Sequence, residues 1–168
     1  ITQSKNDSIE KWCGARNMID LLEVVKKYYF DPRTKGSNSI KYVLPAILSR
    51  SKYLQERYSQ PIYGDPAHIS SLNFPPWQWV KFGDDNTPIN PYDQLPTLFS
   101  EADDLKIELL SESKALANGG AALMAYARMQ FEHMSDYERE ELRAALLKYC
   151  ELDTLAMVMI YESWKYDL

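Results

Sequence analysis

Two polar side chains near the end of the chain, Tyr149 and Asp153, are the residues of this sequence best suited to chemistry. They lie on a mostly apolar stripe whose members recur every three or four positions, which is the period of an α-helix. The stripe consists of Leu142, Leu146, Tyr149, Asp153, Met157, Ile160 and Trp164. A carboxylate on such a stripe is costly unless it is protonated, paired with a cation or bound to a metal ion.

Two interpretations of this pair follow from the residues alone. In the first, Asp153 holds a ligand and Tyr149, one turn earlier on the same face, reaches that ligand with its hydroxyl. In the second, Asp153 forms a salt bridge to a buried arginine or caps a neighbouring helix, and Tyr149 is a core residue. Helical periodicity does not decide between them.

The helix that must carry the pair is predicted from Ser135 to about Trp164. Ser135 and Glu138 have the spacing of a capping box, and no glycine or proline follows before the chain ends. Residues beside the stripe are also apolar, namely Leu147, Cys150, Leu155 and Val158. We therefore expect this helix to be buried on nearly all sides, with Cys150 in the core.

Shorter helices are predicted at residues 9–13, 21–29, 40–48, 52–58 and 121–131. Asp20 is in position to cap the second of these and Ser39 the third, while Gly119 and Gly120 precede the last. Alanines at positions 121, 122, 125 and 127 allow that helix to approach a neighbour closely, and we expect the neighbour to be the C-terminal helix. Residues 101–112 are acidic and only weakly helical in pattern.

A polar loop at residues 33–39 leads into the predicted helix at 40–48. It offers backbone N–H groups, three hydroxyls and the cations Arg33, Lys35 and Lys41 near a helix N-terminus, a setting that suits phosphate oxygens. The alternative is a solvated loop whose charges serve solubility.

Residues 60–98 differ in character, since they contain seven of the nine prolines together with many aromatic residues. This density of proline excludes a helix, whereas residues 77–82 alternate like an edge strand before a turn at 83–86. The rings predict either an exposed platform that stacks unpaired bases or a cover packed on the helices. The cover is favoured, because so many exposed rings would promote aggregation.

The composition predicts a single globular domain. The chain has 168 residues, a net charge of −5, two cysteines and two histidines. Cys13 and Cys150 predict neither a zinc site nor a disulfide framework, and the mild acidity does not indicate a dedicated duplex-DNA binder. We find no apolar run long enough for a membrane span and expect a cytoplasmic protein. Because the first residue is Ile rather than Met, we expect either a processed or cut fragment or the end of a longer protein.

The spacing Tyr149-x-x-x-Asp153 resembles the third motif of the ribonuclease-H-like 3'→5' exonucleases, in the subgroup that has Tyr at this position. The wider stretch 145–157 resembles the end of an uncharacterised bacterial domain family assigned to that superfamily. Further matching stretches are Met18-Ile-Asp-Leu21, Lys35-Gly-Ser-Asn-Ser-Ile-Lys41, Val43-Leu-Pro45, Pro61-Ile-Tyr-Gly64 and Gly119-Gly-Ala-Ala122. The resemblance covers most of the chain, and the set of motifs is more specific than the Tyr–Asp pair alone.

This resemblance implies the C-terminal, mostly helical part of one α/β exonuclease domain, spanning residues 1–168 with an irregular insertion at 60–100. It implies Asp153 as a ligand of one of two Mg²⁺ or Mn²⁺ ions, Tyr149 as a residue that orients the attacking water, and single-stranded DNA or RNA as substrate. Lys41, Ser39 and Lys35 would bind the substrate backbone. In the resembled superfamily an Asp at the position of Asp20 is usually a helix cap, so we expect Asp20 to be structural first, and a residue that supports the metal ligands only as the second alternative.

The chain departs from the family pattern in one respect. No Asp-x-Glu lies on an apolar strand here, so the other acidic motifs must come from the upstream part of the same protein or from another chain. We therefore expect the chain alone to be inactive. The alternative function is a non-catalytic helical module that binds a protein or single-stranded nucleic acid.

Overall fold

The computed structural model describes the strand residues 3–4 and 11–12 together with residues 19–96 and 114–167, with side chains in the last range from residue 122. This part of the chain is mostly helical. Two short strands, β1 (Gln3–Ser4) and β2 (Lys11–Trp12), pair antiparallel. The helices are α1 (Leu21–Tyr28), α2 (Ile40–Leu48), α3 (Lys52–Tyr58), α4 (Lys114–Phe131) and α5 (Asp136–Tyr166). None of the described helices is long and apolar enough to cross a membrane.

Helix α5 organises the fold, and its start confirms the sequence prediction. Ser135 and Glu138 form both halves of a capping box, so two backbone N–H groups at the start of the helix, those of Ser135 and Glu138, are satisfied. The helix packs against α2, α3 and α4. Its buried face is centred on Leu152, Ala156 and Met159, all fully enclosed.

The expectation that α5 is buried on nearly all sides is wrong. Its outward face exposes Leu147, Met157, Val158 and Tyr161. Cys150 is likewise exposed rather than in the core. The described neighbours cover only one side of the helix, and the buried stripe runs through Leu152 rather than Asp153, about one position before the predicted one. Asp153 therefore lies at the edge of the core.

Helices α1 to α3 confirm most of the predicted boundaries. The Asp20 carboxylate accepts the backbone N–H of Leu22 at 2.9 Å and so caps α1. Ser39 stands at the N-cap position of α2, although its side chain makes no capping hydrogen bond. Pro45 lies inside α2, where it cannot donate to the carbonyl of Lys41 one turn earlier.

The proline-rich segment packs as a cover on the helices, as the sequence favoured. Its buried rings belong to Tyr63, Phe74 and Trp79, which contact one another edge-to-face at centroid distances of 5.0–5.8 Å. The predicted edge strand at 77–82 is wrong, because the segment makes only isolated bridges, such as that between Tyr63 and Trp77. The turn at 83–86 is present and closes through the Asn86 N–H and the Gly83 carbonyl at 2.9 Å.

Two further predictions need correction. The helix expected at 9–13 is replaced by strand β2 at its described residues, Lys11–Trp12. Helix α4 begins at Lys114, so Gly119 and Gly120 lie within it rather than before it. The expected contact with the C-terminal helix is present, with Ala125 fully buried. The weakly helical stretch at 101–112 lies outside the described residues.

Truncation of Leu152 should test the position of the core on α5. Leu152 is 0% exposed, and cutting a buried leucine back to alanine costs about 2–5 kcal/mol of unfolding free energy. Leu147, on the same helix but 45% exposed, is the matched control, and Leu147→Ala should cost less than about 1 kcal/mol. Urea denaturation of the two variants measures both values, and equal losses would contradict the assignment of the buried face.

Candidate functional site

Asp153 is half-buried where α5 meets the proline-rich segment. The Tyr92 hydroxyl donates a hydrogen bond of 2.6 Å to its Oδ1 atom. No arginine among the described residues pairs with it. Burial raises the pKa of the Asp153 carboxyl, while the Tyr92 hydrogen bond and the charge of Lys41 act in the opposite direction. The carboxylate therefore sits in a place where its negative charge is costly and only partly compensated.

Lys41, in the first turn of α2, brings a positive charge to the same place. Its Nζ atom lies 5.1 Å from the ring centroid of Tyr149 and 5.7 Å from that of Tyr92, which are distances of cation–π contact. The two tyrosine rings are tilted against each other at 6.1 Å. We call Lys41, Tyr92, Tyr149 and Asp153 the carboxylate cluster.

Both tyrosines of the carboxylate cluster are held as neutral phenols. Burial raises the pKa of Tyr92, and the hydrogen bond to Asp153 and the negative charge of Asp153 raise it further. Burial also raises the pKa of Tyr149, again with a contribution from Asp153. Neither residue can serve as a base near neutral pH, so each can act only by donating a hydrogen bond or by packing.

The remaining predicted site residues, Asp20, Lys35 and Ser39, lie apart from the carboxylate cluster. They line a groove of about 770 Å³ between α1, the loop before α2, and the α5 residues Met157 and Ile160. Met157 is one turn beyond Asp153 on α5, and Ser39 is two residues before Lys41. The groove and the carboxylate cluster therefore adjoin one another along α2 and α5.

An ion pair between the buried Asp31 and two largely exposed arginines lies in the loop at the groove. Asp31 is 1% exposed, and its Oδ2 atom lies 2.9 Å from Arg50 Nε and 3.5 Å from Arg33 Nη1. Its Oδ1 atom accepts the backbone N–H of Arg33 at 2.9 Å and starts the short 3₁₀ helix Pro32–Thr34. Lys35 and Gly36 then turn the chain with φ values of 52° and 78°. This ion pair fixes the path that carries Lys35 and Ser39 to α2.

Sequence reasoning missed Tyr92 and Asp31. Asp31 precedes Pro32, and this local pattern indicates only the end of a helix. Tyr92 was one aromatic residue among many in the proline-rich segment, and its bond to a residue 61 positions later leaves no local signal. The Asn90-Pro-Tyr92 sequence did carry a weak sign of a turn, and Asn90 Oδ1 accepts the Tyr92 N–H at 3.2 Å.

Asp153 is the one carboxylate of the carboxylate cluster among the described residues. No group of three or more His, Cys, Asp or Glu side chains that could hold a metal ion occurs among them. The donor chemistry of Asp153 suits Mg²⁺ or Mn²⁺, which prefer oxygen ligands. A complete site would need further ligands from residues beyond those described.

No family model, curated protein or solved structure matches this chain. The chemistry of the carboxylate cluster therefore rests on its side chains and their surroundings.

Two substitutions on α5 should change stability in opposite directions. Asp153 has a raised pKa in the fold, so its ionisation costs stability at neutral pH, and Asp153→Asn should stabilise the protein. For Glu151, burial acts to raise the pKa, but hydrogen bonds from Ser71, Tyr63 and Asn73 hold it below its ordinary value. Ionised Glu151 therefore contributes stability, and Glu151→Gln should cost about 1–3 kcal/mol at pH 7.

Both differences should shrink on acidification, which is the check on their electrostatic origin. The gain from Asp153→Asn should disappear as the pH falls to the ordinary pKa of Asp, about 3.9. The loss from Glu151→Gln should disappear as the pH falls through the lowered pKa of Glu151. Urea titrations between pH 7 and pH 3 measure both differences. If Asp153→Asn lowered the free energy of unfolding at pH 7, it would contradict the conclusion that ionised Asp153 costs stability.

Proposed function

We propose that this chain is the C-terminal part of a metal-dependent 3'→5' exonuclease with a ribonuclease-H-like fold, acting on single-stranded DNA or RNA. Asp153 would be its one metal ligand, and the other ligands would come from preceding sequence or another chain. The proposal combines the resemblance of the motifs with the chemistry of the carboxylate cluster. On this proposal the chain alone is inactive.

The observation that carries the proposal is the convergence of Lys41, Tyr149 and Asp153. The sequence predicted them as site residues from two separate stretches. In the structure, Lys41 and Tyr149 lie together with Tyr92 around the half-buried carboxylate of Asp153. A carboxylate kept in a place where burial raises its pKa costs stability. Residues that are kept at a cost in stability are often found at functional sites.

When bound, two divalent ions would supply the activated water and the stabilisation of the leaving oxygen in phosphodiester hydrolysis. The residues of this chain have simpler roles. Asp153 offers a carboxylate oxygen as ligand. Tyr149, as a neutral phenol, can orient the water or a phosphate oxygen but cannot remove a proton. Lys41 brings positive charge next to the site, where an anionic phosphate would be attracted.

The adjoining groove would hold the strand that leads to the carboxylate. Lys26 and Lys35 stand on its rim with the hydroxyls of Ser37 and Ser39, and its floor is apolar. The Ser39 side chain makes no capping hydrogen bond to α2, so its hydroxyl can donate a hydrogen bond to a phosphate oxygen. A groove that combines lysines and hydroxyls with apolar side chains offers contacts to the backbone and to the bases of an unpaired strand, although the Asp20 carboxylate and the Lys26–Glu23 ion pair reduce its positive charge.

The alternative is a non-catalytic helical module that binds a protein or single-stranded nucleic acid. One observation favours it: Asp153 already has Tyr92 as a hydrogen-bond partner and Lys41 as a neighbouring cation, as a structural carboxylate would. The two functions differ in whether cleavage depends on Asp153.

Asp153→Asn should abolish cleavage by the full-length protein that the proposal requires. Loss of a residue that supports a metal ligand costs about 10–100-fold, and loss of a ligand should cost at least 100-fold. The assay is degradation of 5'-labelled single-stranded DNA and RNA with Mg²⁺ or Mn²⁺. Asp93→Asn is the matched control, since Asp93 is exposed beside Tyr92. Equal cleavage by Asp153→Asn and wild type would refute the proposal.

Lys41→Ala should weaken substrate binding more than it changes chemistry. Loss of one phosphate contact should raise KM about tenfold and reduce the salt dependence of KM, since each neutralised phosphate adds to the salt slope. Lys27→Ala, which removes an exposed lysine of α1 that does not line the groove, is the control and should leave KM within about twofold. Identical KM values for Lys41→Ala and wild type would exclude Lys41 from substrate binding.

A further inference from the structure

Two carboxylates on α5 receive a tyrosine hydroxyl from the proline-rich segment, and they differ in what else they bind. Tyr63 donates to Glu151 Oε1 at 2.5 Å, and Asn73 donates to Glu151 Oε2 at 2.5 Å, so both oxygens of Glu151 are engaged. Tyr92 donates to Asp153 Oδ1 at 2.6 Å. Within the described ranges, no hydrogen bond reaches Asp153 Oδ2. Within the described part of the chain, both oxygens of Glu151 are therefore engaged, whereas Oδ2 of Asp153 accepts no hydrogen bond and can bind a ligand.

We infer that Tyr92 is a positioning residue that holds Asp153 by Oδ1 and presents Oδ2 to a divalent cation. The inference deepens the proposed function and rests on it, because it concerns the same carboxylate. A carboxylate on a short side chain keeps two rotatable bonds, and one directed hydrogen bond from a fixed donor removes most of that freedom. Partners of this kind orient metal-ligating carboxylates and affect metal affinity strongly.

Tyr92 is itself well fixed, which is what a positioning role requires. It lies in the 3₁₀ helix Pro91–Gln94, whose first turn is capped by the Asn90 side chain. Gln94, from the same turn, donates to the backbone carbonyl of the fully buried Trp79 at 3.0 Å. The Tyr92 ring packs against Tyr149 on α5. The hydroxyl is thus supported from the core, from its own turn and from the helix that carries Asp153.

The test compares Tyr92→Phe with Tyr63→Phe in the full-length protein that the proposed function requires. Each variant removes one hydroxyl that donates to an α5 carboxylate and keeps the ring that packs in the core. Mn²⁺ binding measured by electron paramagnetic resonance is the first readout, and kcat and KM on a labelled single strand are the second. Circular dichroism and the midpoint of thermal unfolding show that both variants fold.

Tyr92→Phe should weaken Mn²⁺ binding by about 10–100-fold and lower kcat, with KM changed little. Tyr63→Phe and Tyr92→Phe should lower the midpoint of thermal unfolding by similar amounts. Tyr63→Phe, however, should leave Mn²⁺ binding and kcat within about twofold of the wild-type values. If Asp153→Asn loses Mn²⁺ while Tyr92→Phe binds it like wild type, the positioning role is overturned and the proposed function stands. If Asp153→Asn itself binds Mn²⁺ and cleaves like wild type, both are overturned.

Discussion

The fold depends on the hydrogen bonds that the partly buried carboxylates of α5 accept from other segments of the chain. Three of its carboxylates each accept a hydrogen bond from the hydroxyl of a tyrosine far earlier in the chain. Tyr63 donates to Glu151, Tyr92 to Asp153 and Tyr58 to Glu162, the last at 2.8 Å. Because a buried carboxylate without a partner is costly, each bond fixes a preceding segment to one position along the helix. The apolar face of α5 attracts its neighbours, and these bonds set where they attach.

The three carboxylates show how one type of contact serves different ends. Glu162 also has Arg57 Nε at 3.8 Å, and Glu151 has Asn73, so both are compensated by more than one group. Among the described residues, Asp153 accepts one hydrogen bond, from Tyr92, and Lys41 adds a more diffuse attraction. At Asp153 the effect of burial is larger than that of its partners, so the pKa is raised. At Glu151 the hydrogen bonds outweigh burial, so the pKa is lowered. That contrast within one helix turn singles out Asp153.

The elements defined by local chemistry were predictable from sequence. The capping box of Ser135, the Asp20 cap and the boundaries of α3 follow from a few adjacent residues, and the structure confirms them. The predicted stripe on α5 was about one position out, because the neighbouring faces are also apolar and the pattern does not say which face meets α2. The exposure of Cys150 and Tyr161 has the same cause: an apolar residue next to a core stripe is not thereby in the core.

The candidate site was predictable only in part. Lys41, Tyr149 and Asp153 stand in stretches whose residue types and resemblance drew attention, and they do lie together. Tyr92 and the Asp31–Arg50 ion pair were not predictable, since both depend on contacts between distant residues that leave no periodicity. The proline-rich segment was correctly favoured as a packed cover. This segment contributes to the candidate site through Tyr92, whose hydroxyl donates a hydrogen bond to Asp153.

That hydroxyl changes what the proline-rich segment must do. A cover made only to bury apolar surface could contact α5 with any ring of suitable size, and Phe at position 92 would pack as well as Tyr. A phenol at this position instead carries a desolvation cost that only the bond to Asp153 offsets. The fixed turn around Tyr92 and the half-compensated carboxylate are therefore linked, because each polar group is tolerable in its buried position through the other. A segment without regular secondary structure thus determines the orientation of a side chain on the most regular element of the fold.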